Sequence, residues 1–284
     1  GALQRVELAR PAQQRVFHAL GRPGALGLLL DRVDVALQLG AFIARDLELL
    51  LDRGDEVFGV LRRPEEEEPT PNLKDIRDRL DLVVGDVNDP DTLRSALDWA
   101  RPHEIYHLAS PNFVPDLWKR PSEAIEAIAG TTASLLELVR SRLPSAKVLV
   151  ASSREIFGDA GESPQRETTP CRPTNPYGIG KLAGHLLCGA MREHGGLFAC
   201  SAILYNHESP RRPERFVTRK VTAAAAAIKL GRQDELVLGD LETVRDWCFA
   251  GDAMRAAAMM LDRDQPDDFV IASGEAHTVG DLVR

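Results

Sequence analysis

Short apolar runs alternate with helical segments through most of this chain, and that alternation leaves few folds open. Val33–Leu37, Glu56–Leu61, Leu80–Val84, 104–108, 147–151 and 198–204 are strand candidates. Segments with helical spacing lie between them, among them 42–53, 91–100 and 122–142. In the first of these Leu47, Leu50 and Leu51 share a face, and Gly54 ends it. Strands alternating with helices in this way predict a parallel, doubly wound sheet. Such a sheet binds ligands beyond the carboxyl ends of its strands.

One of those ends carries the most informative polar groups. Val148 to Ala151 is unbroken apolar sequence, and Ser152, Ser153, Arg154 and Glu155 follow it directly. After a polar loop, Pro176, Tyr177, Gly178, Ile179, Gly180 and Lys181 open a helix. Tyr177 and Lys181 are four apart, so a helix projects both from one face. A hydroxyl, a carboxylate, a phenol and an ammonium thereby come within reach of one pocket. Free tyrosine titrates near ~10. A nearby ammonium favours the phenolate, so the pair is expected to form a tunable acid and base. A Tyr and a Lys on a helix surface would mean little alone. The Ser153 and Glu155 strand end in front of them points to removal of a hydride and a proton from a sugar carbon.

Composition narrows the class. The 43 Asp and Glu outnumber the 35 Lys and Arg, a net charge of -8. The surface as a whole therefore does not suit nucleic acid or an anionic membrane. An anionic ligand must meet a local basic cluster, and Arg211, Arg212, Arg215, Arg219 and Lys220 supply one. Taken alone, that cluster reads equally well as a solvated face. No apolar run reaches ~18 residues, so no membrane span is expected, and no signal peptide is read at the start. Cys171, Cys188, Cys200 and Cys248 have neither C-x-x-C nor metal spacing. Reduced thiols in the cytoplasm are the expectation. His18, His103, His107, His185, His194 and His277 read as hydrogen-bonded structural residues.

The Ser153/Glu155 strand end, the Tyr177/Lys181 pair and two later runs carry a resemblance. The runs are Asn206-His207-Glu208-Ser209-Pro210-Arg211-Arg212 and Phe216-Val217-Thr218-Arg219-Lys220. Together they resemble the GDP-mannose 4,6-dehydratase family of extended short-chain dehydrogenase/reductases. The resemblance implies a Rossmann-like α/β fold with a small C-terminal substrate-binding region. It implies NADP as cofactor, GDP-mannose as the nucleotide-sugar substrate, and no metal. In that family's reaction Tyr177, aided by Lys181, would take the 4-hydroxyl proton while the cofactor takes the C4 hydride. Ser153 would hold that oxygen, and Glu155 would remove the C5 proton as water leaves C6. Hydride return to C6 would give GDP-4-dehydro-6-deoxy-mannose. Implied cofactor contacts are Gly40, Arg62, Arg63, Asp86, Val87, Leu108, Ala109, Ser110, Tyr177, Lys181, His207 and Arg212. Implied substrate contacts are Ser153, Glu155, Asn206, Arg219, Lys220 and Arg245. A bidentate guanidinium at Arg62 or Arg63 suits a 2′-phosphate, although two arginines at a strand end can also be plainly solvated. A homodimer is implied through a four-helix interface, with 122–142 and the helix after Tyr177 as candidates.

The chain departs from the family pattern in several places. The glycines of the first strand-to-helix turn fall on Leu37, Gly40 and Ile43, or with a one-residue gap on Gln38, Ala41 and Ala44. At least two glycines are gone, and a Cβ there obstructs a pyrophosphate. Glu65, Glu66, Glu67 and Glu68 stand where the family can reach a neighbouring subunit's cofactor. Four carboxylates weigh against that contact and its tetramer, or form a solvated loop. Pro111, Asn112 and Phe113 replace polar partners; Phe157, Cys248, Pro213 and Arg215 are further changes. Arg154 replaces a small hydroxyl residue, and on an extended backbone it should point away from Ser153 and Glu155.

The expected layout is an N-terminal extension of unknown role (1–31), an NAD(P)-binding Rossmann-like domain (32–205) and a substrate-binding region (206–284) interleaved with it. A late strand falls within 268–275, and the family usually continues beyond the position of Arg284. Two other readings stay open. One is a degenerate relative that binds a nucleotide sugar or a partner protein without redox chemistry, which the lost glycines favour and the four surviving catalytic groups oppose. The other is an enzyme of the same superfamily acting on another nucleotide sugar.

Overall fold

The computed structural model describes residues 33–37, 44–62 and 71–284. Gly40 and Arg63, both expected at the cofactor, lie outside the described residues, as do Glu65 to Glu68. The chain runs β1 (Val33–Leu37), α1 (Ala44–Arg53), β2 (Glu56–Leu61), β3 (Leu80–Val84), α2 (Pro90–Ala100), β4 (Glu104–His107) and a short α3 (Val114–Leu117). It continues through α4 (Pro121–Ile125), a π-helical turn (Glu126–Gly130), α5 (Thr131–Arg142), β5 (Lys147–Ser153) and α6 (Pro176–Gly195). The remainder is β6 (Ala199–Leu204), β7 (Asn206–Glu208), α7 (Val217–Lys229), β8 (Val244–Arg245), β9 (Trp247–Phe249), α8 (Ala250–Leu261), β10 (Phe269–Ile271), β11 (His277–Thr278) and α9 (Val279–Val283).

Among the described residues, seven strands form one sheet in the order β3-β2-β1-β4-β5-β6-β10. Every pairing in it is parallel. The order reverses between β1 and β4, which makes a crevice at their carboxyl ends. This is the doubly wound α/β fold that the alternating pattern predicts. Alternation along β5 explains why both sheet faces are covered. Leu149 and Ala151 join one buried cluster with Leu47 and Leu50 of α1 and Met254 of α8. Val148 and Val150 join a second with Leu93 of α2, Leu135 of α5 and Cys188 of α6. Each fully buried leucine contributes about 1.5–3 kcal/mol.

Local signals fix the helix ends. Asp89 caps α2 by accepting from the main-chain N–H groups of Asp91 and Thr92, with Pro90 in the first turn. The helix expected over 122–142 is interrupted by the π-helical turn, which inserts a wider turn between α4 and α5. At the amino end of the sheet, Arg53 Nη2 donates to Glu104 Oε2 at 2.7 Å and Tyr106 Oη donates to the same oxygen at 2.8 Å. Arg53 also pairs with Asp55. This network ties the end of α1 to the start of β4.

The last third of the chain rejoins the sheet through β10, which pairs with β6. Asp268 locks that edge by accepting from Arg192 Nη1 and Nη2, each at 2.9 Å, and from Ser201 N at 3.0 Å. Two small sheets flank the site: β7 beside β9, and β8 beside β11. Asp246 steadies the latter region by accepting from Ser273 N, Ser273 Oγ and Gly274 N at 2.8–2.9 Å.

Candidate active site

Ser153 is the last residue of β5, and the chain then turns at once into a single 3-10 turn, Arg154–Ile156. Ser153 Oγ accepts from Glu155 N at 3.3 Å, which draws the turn back over the strand end. The chain leaves through Gly158 with φ +53°, where an added Cβ would lie 1.8 Å from the Arg172 carbonyl oxygen. No other residue fits both conditions.

Tyr177 is presented by the first turn of α6. Asn175 caps that helix, its Oδ1 accepting from Gly178 N at 2.9 Å, and Pro176 occupies the first helical position. Gly178 allows the turn to lie against the main chain of Glu155, since a Cβ there would come 2.4 Å from the Glu155 carbonyl oxygen. The Tyr177 hydroxyl faces the hydroxyls of Ser153 and Ser110, both of which favour its ionised form. Strand β5, the loop after β4 and helix α6 thus meet at one phenol.

Two sequence expectations are corrected here. Lys181 was expected to pull Tyr177 down in pKa. Burial instead pushes Tyr177 up to about 12, opposed by the Ser153 hydroxyl, assisted by the charge of Glu155, and opposed further by the Ser110 hydroxyl and the Arg212 guanidinium. The reason lies in Lys181 itself. It is buried, its Nζ donates to the Ala151 carbonyl at 2.6 Å, and burial brings it down to about 7. Its ammonium stands 5.7 Å from the centre of the Tyr177 ring. The second correction concerns Arg154. Because the backbone coils after Ser153, Arg154 does not point away; its Nη2 pairs with Glu155 Oε1 at 2.9 Å. The other carboxylate oxygen of Glu155 accepts from Asn175 Nδ2 at 2.8 Å.

Neutral histidines back this site. His107, at the end of β4, is driven down to about 3 by burial and by the charge of Lys181. Its Nε2 lies 3.2 Å from Thr132 Oγ1, whose proton is given to the Ile128 carbonyl, so Nε2 carries the ring proton. His207, on β7, is lowered by burial foremost and feels both Arg212 and Lys181; its Nδ1 lies 3.0 Å from the Tyr205 carbonyl oxygen. Arg212 pairs with Glu208 through Nε at 3.1 Å and stacks 3.7 Å over the Phe216 ring. Phe113, which replaces a polar residue of the family pattern, packs edge-on against Phe216 and under Arg215.

The other expected contacts fall into separate groups. Arg62 and Asp86, at the carboxyl ends of β2 and β3, face each other at 3.7 Å. Val87 is buried in the core, so only its main chain can meet a ligand. Leu108, Ala109 and Ser110 follow β4 directly. Asn206 pairs with Trp247 across β7 and β9, and Arg245 lies on β8 within the field of Arg154 and Glu155. Arg219 and Lys220 lie on α7, where Lys220 Nζ donates to the Val237 carbonyl at 2.6 Å. The basic run is therefore divided, with Arg211 held by Glu48 at 2.8 Å and Arg212 held by Glu208. A cavity of about 600 Å³ opens beside α7, lined by Glu214, Lys220, Ala224, Gln233 and Val237. Asn175 was not among the expected site residues. An Asn immediately before Pro at a helix start marks a cap, but not what its amide donates to.

The donor set fits a dinucleotide: a guanidinium and a carboxylate at the ends of β2 and β3, and across the crevice a buried ammonium beside a phenol. Comparison with known proteins agrees. A family model described as GDP-mannose 4,6 dehydratase matches residues 38–284. GDP-mannose 4,6 dehydratase 1 of Arabidopsis thaliana is 41% identical over 248 residues, 83% of this chain and 68% of that protein. GDP-mannose 4,6-dehydratase of Yersinia enterocolitica is 39% identical over 255 residues, 87% of this chain and 68% of that protein. The chain thus spans about two thirds of the length of these relatives. Among solved structures, DesIV of Streptomyces venezuelae, a dTDP-glucose 4,6-dehydratase with NAD bound, superposes with a TM-score of 0.76 at 22% identity, over 88% of this chain and 79% of that one.

Proposed function

The chain belongs to the GDP-mannose 4,6-dehydratase family, and from that premise we propose how its own residues carry the reaction. It is a nucleotide-sugar 4,6-dehydratase, a hydro-lyase of the NAD(P)-binding short-chain dehydrogenase/reductase type. The substrate is GDP-mannose and the product GDP-4-dehydro-6-deoxy-mannose. The observation that carries the residue assignment is the convergence of Ser153, Glu155 and Tyr177 at one strand end.

When bound, NADP supplies the acceptor for the C4 hydride and the donor that returns it to C6. Arg62 suits its 2′-phosphate, with Asp86 and Val87 at the adenine and Leu108, Ala109 and Ser110 along the nicotinamide ribose. Gly40 and Arg63 belong to the same assignment. Tyr177 exchanges a proton with the sugar's 4-hydroxyl, Ser153 holds that oxygen, and Lys181 supports both phenol and cofactor. Arg212 is the cation that favours the phenolate, and His207 completes the wall behind it. Glu155 removes the C5 proton once C4 is a ketone, and water leaves C6. Asn206, Arg219, Lys220 and Arg245 hold the nucleotide sugar, with part of the nucleotide in the cavity beside Lys220. Residues 206–284 form the substrate region.

A homodimer is proposed through α5 and α6. Ile179 and Leu186 are one heptad apart on α6, and both remain exposed, at 44% and 61%. Among the described residues no helix is long and apolar enough to cross a membrane. The unpaired Cys171, Cys188, Cys200 and Cys248 suit a reducing cytoplasm. The deciding test incubates the purified protein with GDP-mannose and NADP and follows the 4-keto product. Product with no net NADPH is expected; absence of product with either NADP or NAD would sink the assignment.

A further inference from the structure

Glu155 is held more completely than a proton-abstracting carboxylate needs to be for folding. Arg154 Nη2 contacts Oε1 at 2.9 Å, and Asn175 Nδ2 donates to Oε2 at 2.8 Å. The main chain on either side is fixed as well. Ser153 Oγ accepts from the Glu155 N–H, and the Gly178 backbone lies against the Glu155 carbonyl. Each carboxylate oxygen accepts more than one hydrogen bond, so a lone pair remains on each for substrate.

Asn175 makes this arrangement two-sided. Its carbonyl oxygen caps α6, and its amide holds Glu155. The helix start that presents Tyr177 and the carboxylate that stands beside it are therefore set by one side chain. Arg154 adds an ion pair to the other carboxylate oxygen, Oε1. Its Nε is buried and has no hydrogen-bond partner among the described residues, so the pair with Glu155 is the contact that orients the guanidinium.

Other groups face Glu155. The neutral Tyr177 phenol faces it from α6, and the charged Arg245 faces it from β8. A carboxylate with a free rotor would be drawn toward the Arg245 guanidinium, whose field it shares. Engagement of both oxygens by Arg154 and Asn175 keeps Glu155 at the sugar ring.

We propose that Arg154 and Asn175 are positioning residues that clamp Glu155, holding it in one rotamer as the C5 base. This rests on the assignment of Glu155 as that base. Neither residue touches the reacting atoms; each acts through the carboxylate.

The test is the pH dependence of kcat with GDP-mannose and NADP in five variants. Arg154→Ser removes the cation, and Arg154→Lys restores a charge without the fork. Asn175→Asp keeps the helix cap but sets an acceptor against Glu155, while Asn175→Ser keeps the cap and removes the donor. Glu155→Gln removes the base. In Arg154→Ser and Asn175→Asp the acid limb of kcat should move to higher pH, the direction that loss of a favourable charge or gain of a like one requires. KM for GDP-mannose should stay near the parent value, since the loss lies in the chemical step. The kinetic isotope effect with C5-deuterated substrate should rise. Arg154→Lys should recover most of the shift, and Asn175→Ser should show a smaller one at an unchanged melting temperature. If Glu155→Gln is inactive but Arg154→Ser and Asn175→Asp keep the parent pH profile and isotope effect, the clamp is wrong and the base assignment stands. If Glu155→Gln turns over at the parent rate, the base assignment fails and the clamp with it.

Discussion

At the amino ends of the strands, Arg53, Asp55, Glu104 and Tyr106 form a closed set in which charges and hydroxyl find partners inside the protein. At the carboxyl ends the opposite holds. Lys181 is buried with a main-chain carbonyl as its acceptor, Tyr177 is pushed up to about 12, and His107 is held neutral. The same sheet supports both. One end has settled its electrostatics within the fold. The other keeps groups far from their ordinary protonation, a condition that marks sites arranged for a ligand.

Substitutions at the two ends should therefore fail in different ways. The largest effect is expected for Tyr177→Phe, which should lower kcat by roughly 10²–10⁴-fold, the range for a lost acid–base group, with little change in melting temperature. A large loss of stability instead would make the two ends alike. Glu104→Ala should do the reverse. It leaves Arg53 and Tyr106 without their shared acceptor and should cost about 3–5 kcal/mol in denaturant unfolding, while kcat per folded molecule holds. Gly158→Ala, next in size, should cost on the order of 1–3 kcal/mol or more, because it combines a left-handed backbone with a clash against the Arg172 carbonyl. Its activity loss should follow from the displaced Glu155 turn.

The gentlest change, a slope with pH and not a step, sharpens the comparison most directly. Lys181 sits at about 7 in the fold against 10.5 ordinarily. Between those values the unfolded chain holds a proton that the folded chain has released. Stability from this group therefore rises with pH across that window, by at most about 1.4 kcal/mol per unit. Tyr177 acts with the opposite sign, since its raised value makes stability fall between 10 and about 12. Lys181→Met should flatten the first slope and leave the second. An unchanged slope between pH 7 and 10 would show that Lys181 is hydrated.

The strands were legible because short apolar runs between polar turns admit few other structures. β2 and β3 occupy the expected spans residue for residue, and β10 falls inside the late segment expected. The grouping of Ser153, Glu155 and Tyr177 was legible too, since strand ends and helix faces follow from local periodicity. What sequence did not carry was the sense of each charge. The shift of Tyr177 is set foremost by its burial, while Lys181, also buried, donates to the Ala151 carbonyl. The turn after Ser153 reversed the expected direction of Arg154, because alternation holds only while the backbone stays extended. The π-helical turn left no mark in the 122–142 pattern, where it changes register rather than composition.

The placement of β10 also bears on how the protein is made. β6 is buried along its whole length, and its outer edge is covered only when Phe269–Ile271 arrives. A nascent chain will thus carry an apolar strand with one open edge while α7, the small sheets and α8 are still being synthesised. Open edges of this kind pair readily with other chains. Asp268, which reaches back to Ser201 and Arg192 as β10 docks, is then the latch that ends this exposed interval. Fragments that stop short of it should be recovered as aggregates, and chaperone demand should fall once the ribosome has passed that point.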